Sequence, residues 1–470
     1  MNSIAETGNP STSHKGDSEN WPLLSSERSW GSWQLLAVFI STAAATWCYI
    51  IGEYVGYYLN FKMGFASMTA GALIGIVLVN IAVLPMISRF GVDSVATSRA
   101  QFGSRGWVLI SILQYVSVTG WNCLLLIFFA MSGAKLATAL GFAEVAESIW
   151  FKPVISLIAC AIVYAILLRG SSGVEKTSKL LFLLIIGISA WIIWMMLGHD
   201  GSQIMAAQPA YATPSRAENY SIGVEVGLVT NLTWWAYLGA MARVTPTASK
   251  ANLPSILGFG LTVPLMSLIG LAAYLLVQDS DPSSWLIHLG GTLFGSIALL
   301  LVITANIGTS VAGVYVSAVG LTNIPGISKR PWPVTLALTM IPVVLISVFI
   351  PNLFFDNFGT LLALFGVIFA PLCGIQIADY YFLRRRKMDL QALYSTSPDA
   401  PYYFFKGVNI AGVLSVIIGF FVYSYLLDPI TYESRAPFEY TTASIPTLVI
   451  SAISYYLLTR IINGKKMGGY

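Results

Sequence analysis

The sequence predicts an all-α integral membrane protein with twelve transmembrane helices. Of the 470 residues, 56% are hydrophobic and only 10% are charged, whereas about a quarter of the residues in a soluble domain carry charge. Apolar runs of roughly 20 residues, long enough to cross a bilayer, recur throughout the chain. We place the spans at residues 32–58, 67–88, 106–139, 152–168, 178–198, 221–242, 254–277, 290–321, 332–350, 358–382, 404–426 and 440–461.

The segment before the first span is polar and lacks the basic start and short apolar core of a cleaved signal peptide, so we expect a disordered cytoplasmic tail over residues 1–30. With this end inside, the basic residues of the outer loops are Lys62, Lys135, Lys152, Arg216 and Arg435. All other Lys and Arg residues lie in the tails and inner loops. This bias predicts a multi-pass protein of the cell membrane, plasma or inner, with both termini cytoplasmic.

The remaining composition argues against an enzyme. The net charge of +4 comes from the inner loops and favours contact with anionic membrane lipid, not with nucleic acid. All four cysteines lie within predicted spans and the three histidines are scattered without metal-ligand spacing. The sequence has no phosphate loop, nucleophile elbow or dinucleotide fingerprint. We therefore predict no catalytic residues and no cofactor.

A short internal similarity relates the first and sixth spans. "TWCYIIG" at residues 46–52 matches "TWWAYLG" at residues 233–239 at Thr, Trp and Gly, and the two lie five spans apart, as an inverted repeat of two five-helix halves requires. The preceding segments, "STAAA" and "TN", favour local unwinding of both spans. A match this short also arises by chance, so the residues alone leave the repeat open.

Polar side chains inside spans three and six are candidates for a ligand site, because unsatisfied polar groups are costly in hydrocarbon. "TNLTWW" begins at Thr230 in span six, and span three contains Gln114, Trp121 and Asn122. A flat tryptophan beside amides suits a planar heteroaromatic ligand, by stacking on its faces and hydrogen bonding to its edge. For Gln114 and Asn122, bonding between helices is an equally good interpretation.

Span eight presents three oxygen-bearing side chains at offsets of three and four residues: Asn306, Thr309 and Ser310. Such neutral oxygens suit a dehydrated monovalent cation, particularly if carbonyls of an unwound first span complete the shell. Alternatively, the hydroxyls bond back to carbonyls of the preceding turn and only bend the helix.

Glu53 is the conspicuous acidic residue of the first span. Intramembrane carboxylates are functional by default, so Glu53 is a candidate proton site or gate. The span also has a plausible end near Tyr57, which would make Glu53 an interfacial carboxylate in contact with water. The residues leave both interpretations open.

Three separated segments carry longer motifs. They are "APLCGIQIADYYFLRRR" at residues 370–386, "SRAQFGSRGW" at 98–107 running into "TGWN", and "NIGTSVAGVYVSAVGLTNIPG" at 306–326. In order and register they resemble the nucleobase:cation symporter-1 family, the transporters of cytosine, purines, uracil, allantoin, hydantoins and related vitamins. The resemblance extends from Trp30 to Lys387.

The resemblance implies a leucine-transporter-type fold, a 5+5 inverted repeat followed by two extra helices. We expect the first repeat over residues 31–200, the second over 201–388, spans eleven and twelve over 389–461 and a cytoplasmic tail over 462–470. It further implies a symporter that uses Na⁺ or H⁺ to carry a nucleobase or related planar nitrogenous heterocycle by alternating access, and we expect a monomer. The alternatives are a same-fold carrier of a vitamin or amino acid, and an uncoupled facilitator or channel.

The resemblance also implies site residues. Trp121 falls on the family tryptophan that stacks on substrate, while Asn231 stands where many relatives have an aromatic residue, which leaves the second stacking face to Trp234 or Trp235. The family glutamine aligns with Val118 or Leu125, neither of which hydrogen-bonds through its side chain. The predicted substrate residues are Gln114, Trp121, Asn122, Thr230, Asn231, Trp234 and Tyr315. The predicted cation ligands are Asn306, Thr309, Ser310 and the carbonyls of Ser41 and Ala44.

Overall fold

The computed structural model describes residues 22–278, 282–324, 326–327 and 329–464, and this part of the chain is helical apart from its loops and two isolated β-bridges. The predicted tails fall outside it up to residue 21 and from residue 465. The helices, in chain order, are α1 (Ser32–Ala43), α2 (Trp47–Gly56), α3 (Phe61–Phe90), α4 (Ser94–Ala139), α5 (Ala143–Ala146), α6 (Phe151–Leu167), α7 (Ser171–Ala206), α8 (Arg216–Leu232), α9 (Trp235–Ala242), α10 (Ala248–Ser255), α11 (Thr262–Val277), α12 (Pro282–Thr322), α13 (Trp332–Phe349), α14 (Pro351–Asp356), α15 (Phe358–Ile377), α16 (Leu390–Leu393), α17 (Ile410–Leu426), α18 (Phe438–Thr441) and α19 (Ser444–Asn463). Short π-helices, Ile256–Leu261 and Ala378–Leu383, precede α11 and follow α15.

The all-helical membrane class is confirmed. Among the described residues, seven helices are long and apolar enough to cross a membrane, or up to nine if each of two bent pairs is one span. The bent pairs are α1 with α2, at 61°, and α6 with the start of α7, at 112°. The sixth predicted span is divided into α8 and α9, whose 17 and 8 residues are each too few for a straight crossing. The count of twelve stays a prediction.

The described end of the predicted N-terminal tail lies against the end of α3. The amide of Leu23 donates to the Gly91 carbonyl at 3.0 Å, and Arg28 Nη1 donates to the Ser88 carbonyl at 2.7 Å. Gly91 ends the helix with φ 68°, a conformation that glycine adopts without steric cost. Residues 22–30 are therefore held to the helical body, in contrast to the disorder expected for the whole of 1–30.

The central helices touch backbone to backbone at a few glycines. A Cβ atom on Gly52 of α2 would lie 1.9 Å from the Ser267 carbonyl oxygen, and one on Gly270 of α11 would lie 1.9 Å from that of Tyr49. Small residues permit this approach between membrane helices, where dispersion between closely fitted surfaces replaces the hydrophobic effect. The contact holds α2, the second half of the broken first span, firmly against α11.

A buried cluster around Asp379 joins α4, the end of α15 and α19. The Asp379 carboxylate accepts from Gln101 Nε2 and Arg384 Nε, both at 2.7 Å, and from Tyr455 Oη at 3.0 Å. Burial alone would lower the pKa of the Arg384 guanidinium, but Asp379 together with Tyr455 and Tyr402 more than offsets this, so the net shift is upward and the charge is kept. Asn409 extends the cluster by donating to the Gln101 carbonyl at 2.7 Å.

A second buried carboxylate fixes the start of α19 to α8. Glu225 accepts from the amides of Ala443 and Ser444, both at 3.1 Å, and from Ser444 Oγ at 2.6 Å. Amides at a helix N-terminus are natural partners of a carboxylate. Sequence analysis did not single out Glu225, because the partners that satisfy it lie more than two hundred residues away along the chain.

Candidate substrate and cation sites

A small cavity lies where the two broken spans meet α4 and α12. Its lining is mostly aromatic and comes from α2, α4, the α8–α9 break, α9 and α12. The lining residues are Trp47, Trp121, Leu125, Thr233, Trp234, Tyr237 and Thr309, and the cavity volume is about 10 Å³, which is about the space of one water. We call this the central chamber.

Three indoles dominate the central chamber. The ring centroid of Trp47 lies 5.1 Å from that of Trp121 and 5.8 Å from that of Trp234, edge-on to both. Phe259, from the first π-helix, stacks on the far face of Trp234 at 3.9 Å with an interplanar angle of 11°. The buried Nε1 atoms of Trp121 and Trp234 have no hydrogen-bond partner within the described chain. The chamber thus offers aromatic faces and two unused donors.

The structure distinguishes between the two tryptophans proposed for the second stacking face. Trp234 lines the chamber, whereas the indole of Trp235 donates to Gln376 Oε1 at 2.6 Å and its ring lies against Phe369 of α15. Trp235 therefore points toward α15 and is not part of the chamber lining. Leu125, one of two positions aligned with the family glutamine, lines the chamber and contributes only apolar surface.

The other predicted residues of span six bond within their own helix. Thr230 Oγ1 donates to the Val226 carbonyl at 2.7 Å, and Asn231 Nδ2 donates to the Gly227 carbonyl at 3.1 Å. Asn231 Oδ1 is buried and unpaired as far as the chain is described. The amide thus retains one acceptor at the end of α8, directly before the break at Thr233.

The side-chain amides of two predicted substrate residues of span three donate to backbone carbonyls, one on another helix and one on its own helix. Gln114 Nε2 donates to the Ala236 carbonyl of α9 at 2.7 Å, and Asn122 Nδ2 donates to the Val118 carbonyl at 2.9 Å. A Cβ atom on Gly313 would lie 2.5 Å from Asn122 Oδ1, so this amide is pressed against α12. Neither side chain is among those that line the chamber, because each is held by a neighbouring helix or its own.

Tyr315 is also placed elsewhere than expected. Its ring lies edge-on to Trp332, with centroids 6.0 Å apart, at the start of α13. Tyr315 follows Thr309 by six residues, which turns its side chain about 240° around the α12 axis. Tyr315 is therefore not among the residues that line the chamber, and its role in substrate binding stays a prediction.

The break in the first span releases carbonyl groups from the helical pattern. The amide of Ala45 donates to Ala43 and that of Cys48 donates to Ala45, each at 3.1 Å, so the carbonyls of Ser41 and Ala44 do not receive their usual donors four residues on. Thr309 Oγ1 donates to the Ser41 carbonyl at 3.3 Å. The predicted ligands of span one and span eight therefore meet at the break.

Ser310 and Asn306 complete this side of α12. Ser310 Oγ is buried and has no partner in the described residues. Asn306 Oδ1 accepts from Thr46 Oγ1 at 2.8 Å and from Thr46 N at 3.3 Å. Neutral oxygens from carbonyls and hydroxyls are the donor set that a dehydrated sodium ion takes, and Thr309 is shared between this oxygen-rich pocket and the chamber.

Glu53 lies farther along α2, away from this pocket. It is buried and accepts from Tyr57 Oη at 2.7 Å. The Tyr57 ring in turn lies edge-on to Tyr211 and Tyr274, at 5.5 and 4.8 Å. Glu53 thus belongs to a tyrosine cluster at the end of α2, and its role as a gate or proton site stays a prediction.

Comparison with known proteins gives the family. A family model described as a permease for cytosine/purines, uracil, thiamine and allantoin matches residues 22–437. The chain belongs to this permease family. A purine-uracil permease of Arabidopsis thaliana is 24% identical over 410 residues, which cover 79% of this chain and 64% of that relative. A hydantoin permease of Microbacterium maritypicum is 21% identical over 429 residues, covering 83% and 80%.

Solved structures show the same fold. The permease matches Mhp1, a nucleobase-cation-symport-1 family transporter in a closed conformation with bromovinylhydantoin bound, with a TM-score of 0.76 and 17% identity over 95% of this chain and 96% of that one. It matches a Na⁺-coupled sialic acid symporter with a TM-score of 0.60 and 13% identity, over 94% and 91%. The chain therefore has the fold of these transporters.

Sequence analysis missed two aromatic residues at the chamber: Trp47, which lines it, and Phe259, which stacks on the lining residue Trp234. Trp47 was noticed only as part of the short internal similarity, although it stands at the same place in "TWCYIIG" as Trp234 in "TWWAYLG". That correspondence is the signal that would have found it. Phe259 carries no such signal, since its contact with Trp234 depends on how the first π-helix packs against the broken sixth span.

Proposed function

We propose that the permease is a secondary active transporter that carries a nucleobase or related planar nitrogenous heterocycle into the cell together with Na⁺ or H⁺. The observation that carries this proposal is the adjacency of an aromatic chamber and an oxygen-rich pocket, joined through Thr309. Trp121 and Trp234 would supply the stacking faces, and their unused indole donors favour ligands that present ring carbonyl oxygens. Asn231, whose side-chain oxygen is unpaired among the described residues and which precedes the chamber residue Thr233 by two positions, is the candidate acceptor for a ring N–H.

For the coupling ion, we propose a pocket formed by the carbonyls of Ser41 and Ala44 with the hydroxyls of Thr309 and Ser310. An ion bound there stabilises whichever conformation brings the first span and α12 together. If that conformation also binds substrate best, ion and substrate raise each other's affinity by linkage. The relatives named as purine-uracil and hydantoin permeases, and the Na⁺-coupled structural neighbour, agree with this scheme.

The 5+5 inverted repeat with twelve spans is part of the proposal. Two pairs of elements support it. The first and sixth predicted spans are both divided, at residues 44–46 and 233–234. The third and eighth are both kinked near their starts, at Gly103 with φ 92° and at Gly291 with φ 62°. Each pair is five spans apart, as the repeat requires. We further propose a monomer in the cell membrane with both termini cytoplasmic.

Uptake by purified permease in liposomes tests the function. We expect uracil, cytosine, hypoxanthine or hydantoin to accumulate above the external concentration when a sodium or proton gradient is imposed. Dissipating that gradient with an ionophore should abolish accumulation. Uptake that only equilibrates, with or without a gradient, would identify a facilitator. Gradient-driven uptake of leucine but of no heterocycle would identify the same fold with amino-acid cargo.

A further inference from the structure

A hydrogen-bonded pair stands between the chamber and the cation pocket. Thr46 and Asn306 are 2% and 0% exposed, and the two bonds from Thr46 reach the same oxygen, Asn306 Oδ1. An amide oxygen has two acceptor positions, so Thr46 takes up the whole capacity of this atom. The side-chain oxygen of Asn306 is therefore fully hydrogen-bonded to the first span and is not free to bind a cation.

This pair maintains the break in the first span. In a continuous helix the amide of Thr46 would donate to the Thr42 carbonyl, but here it donates to Asn306. The Asn306 amide thus replaces one backbone hydrogen bond of the missing turn. Without this replacement, the buried amide of Thr46 would be drawn back to Thr42 or left unpaired, at a cost of about 1–3 kcal/mol.

The two neighbours of the pair belong to different sites. On one side of Thr46, the Ala44 carbonyl has lost its usual donor, the Cys48 amide, and is one of the proposed cation ligands. On the other side, Trp47 follows directly and its ring lies edge-on to both Trp121 and Trp234, at 5.1 and 5.8 Å. In that place the indole contacts both proposed stacking rings, so a planar ligand that stacks on them must displace it.

This inference rests on the proposed function. We propose that the Thr46–Asn306 pair is the positioning link by which cation binding at the break of the first span sets the place of Trp47 in the substrate chamber. A cation that gathers the Ser41 and Ala44 carbonyls toward Thr309 fixes the break in one arrangement. Because Thr46 is anchored to α12 and bonded to Trp47, that arrangement also moves the indole out of the ligand's place.

Thr46→Val tests the link, since it keeps the shape of the side chain and removes the hydroxyl donor. The readout is the ratio of substrate dissociation constants without and with the coupling ion, measured with the heterocycle and ion that the uptake assay identifies. Coupled sites typically give a ratio of about 5 to 150. We expect this ratio to fall toward 1 in Thr46→Val and to be restored in Thr46→Ser, while ion binding, measured directly, persists.

Thr339→Val is the matched control. Thr339 is 1% exposed and its hydroxyl donates to the Thr335 carbonyl of its own helix at 2.8 Å, so the variant loses a similar buried bond elsewhere. A wild-type ratio in Thr46→Val would overturn the link. Asn306→Ala provides a second route, because it removes both bonds: the double variant should lose no more than Asn306→Ala alone, and additive losses would overturn the link as well.

The measurements distinguish a failure of coupled transport from a failure of the Thr46–Asn306 link. If the wild-type affinity is indifferent to both sodium and pH, coupled transport itself is wrong, and the link falls with it. If the wild type depends on the ion and Thr46→Val retains that dependence, coupled transport stands and only the link is wrong.

Discussion

The Asp379 cluster and the central chamber are both buried and polar, yet they differ in how their polar atoms are satisfied. The Asp379 carboxylate receives three donors, from α4, from Arg384 directly after its own π-helix and from α19, and Gln101 Oε1 is the atom of this cluster that has no partner among the described residues. In and beside the chamber, the indole nitrogens of Trp121 and Trp234 and the hydroxyl of Ser310 have no partner in the described part of the chain. Buried polar groups are normally paired, so the first region holds helices together, and we propose that the second binds a ligand.

Removing the Asp379 carboxylate should have the largest effect. Asp379→Ala leaves Arg384, which is 3% exposed, as a buried charge without its counter-ion. Breaking a buried pair in this way typically costs about 3–5 kcal/mol. We expect a large fall in thermal stability in detergent, whether or not substrate is present.

Asp399→Ala serves as the control, because Asp399 lies in an exposed loop. Its stability should match that of the wild type. An Asp379→Ala protein of unchanged stability that had lost transport would reverse the comparison and make the Asp379 cluster a functional site.

The contrast between the two regions also marks what the sequence could predict. Membrane class follows from local runs of apolar residues, and the broken spans follow from local "STAAA" and "TN" segments, so the sequence could predict both. It could not predict which neighbouring helix a polar side chain contacts. Gln114 and Trp121 are seven residues apart and share a helix face, yet Gln114 bonds to Ala236 and only Trp121 lines the chamber. The partner was on another helix, and a single span contains no information about it.

The Asp379 cluster is a second case in which the sequence could not predict which side chains meet. The segment "ADYYFLRRR" supported the resemblance to a family, but its basic end was interpreted as an inner flank only. The side chains that meet Asp379 come from Gln101 and Tyr455, in spans that are far apart in the sequence. Their convergence depends on how α17 and α19 dock beside α4, which no local pattern specifies.

Removing one stacking face should have the next largest effect, on affinity and not on stability. Base stacking on an aromatic side chain contributes about 1–3 kcal/mol, so Trp121→Ala should weaken substrate binding by about 5- to 150-fold. Isothermal titration or a ligand-induced thermal shift measures this. Trp285→Ala removes another buried indole, one that lies against Tyr49 and outside the lining of the chamber, and should leave affinity unchanged. Equal losses in both variants would show that Trp121 has only a packing role.

The smallest and most selective effect is expected at the cation pocket. Thr309 and Ser310 are adjacent, so their side chains point about 100° apart around α12; Thr309 Oγ1 already reaches the Ser41 carbonyl at 3.3 Å, and Ser310 Oγ is unpaired among the described residues. This geometry suits two hydroxyls that bind one ion from neighbouring sides.

Replacing both Thr309 and Ser310 with alanine should abolish sodium binding and flatten the sodium dependence of substrate affinity. The Thr46→Val variant should also lose this dependence, but it should still bind the ion. Thr304→Ala, which removes a hydroxyl bonded to the Leu300 carbonyl of the same helix, should preserve the dependence. If affinity follows pH and ignores sodium, the ion pocket is wrong and Glu53 is the residue to replace, because coupling requires an ion that binds the two conformations with different free energies.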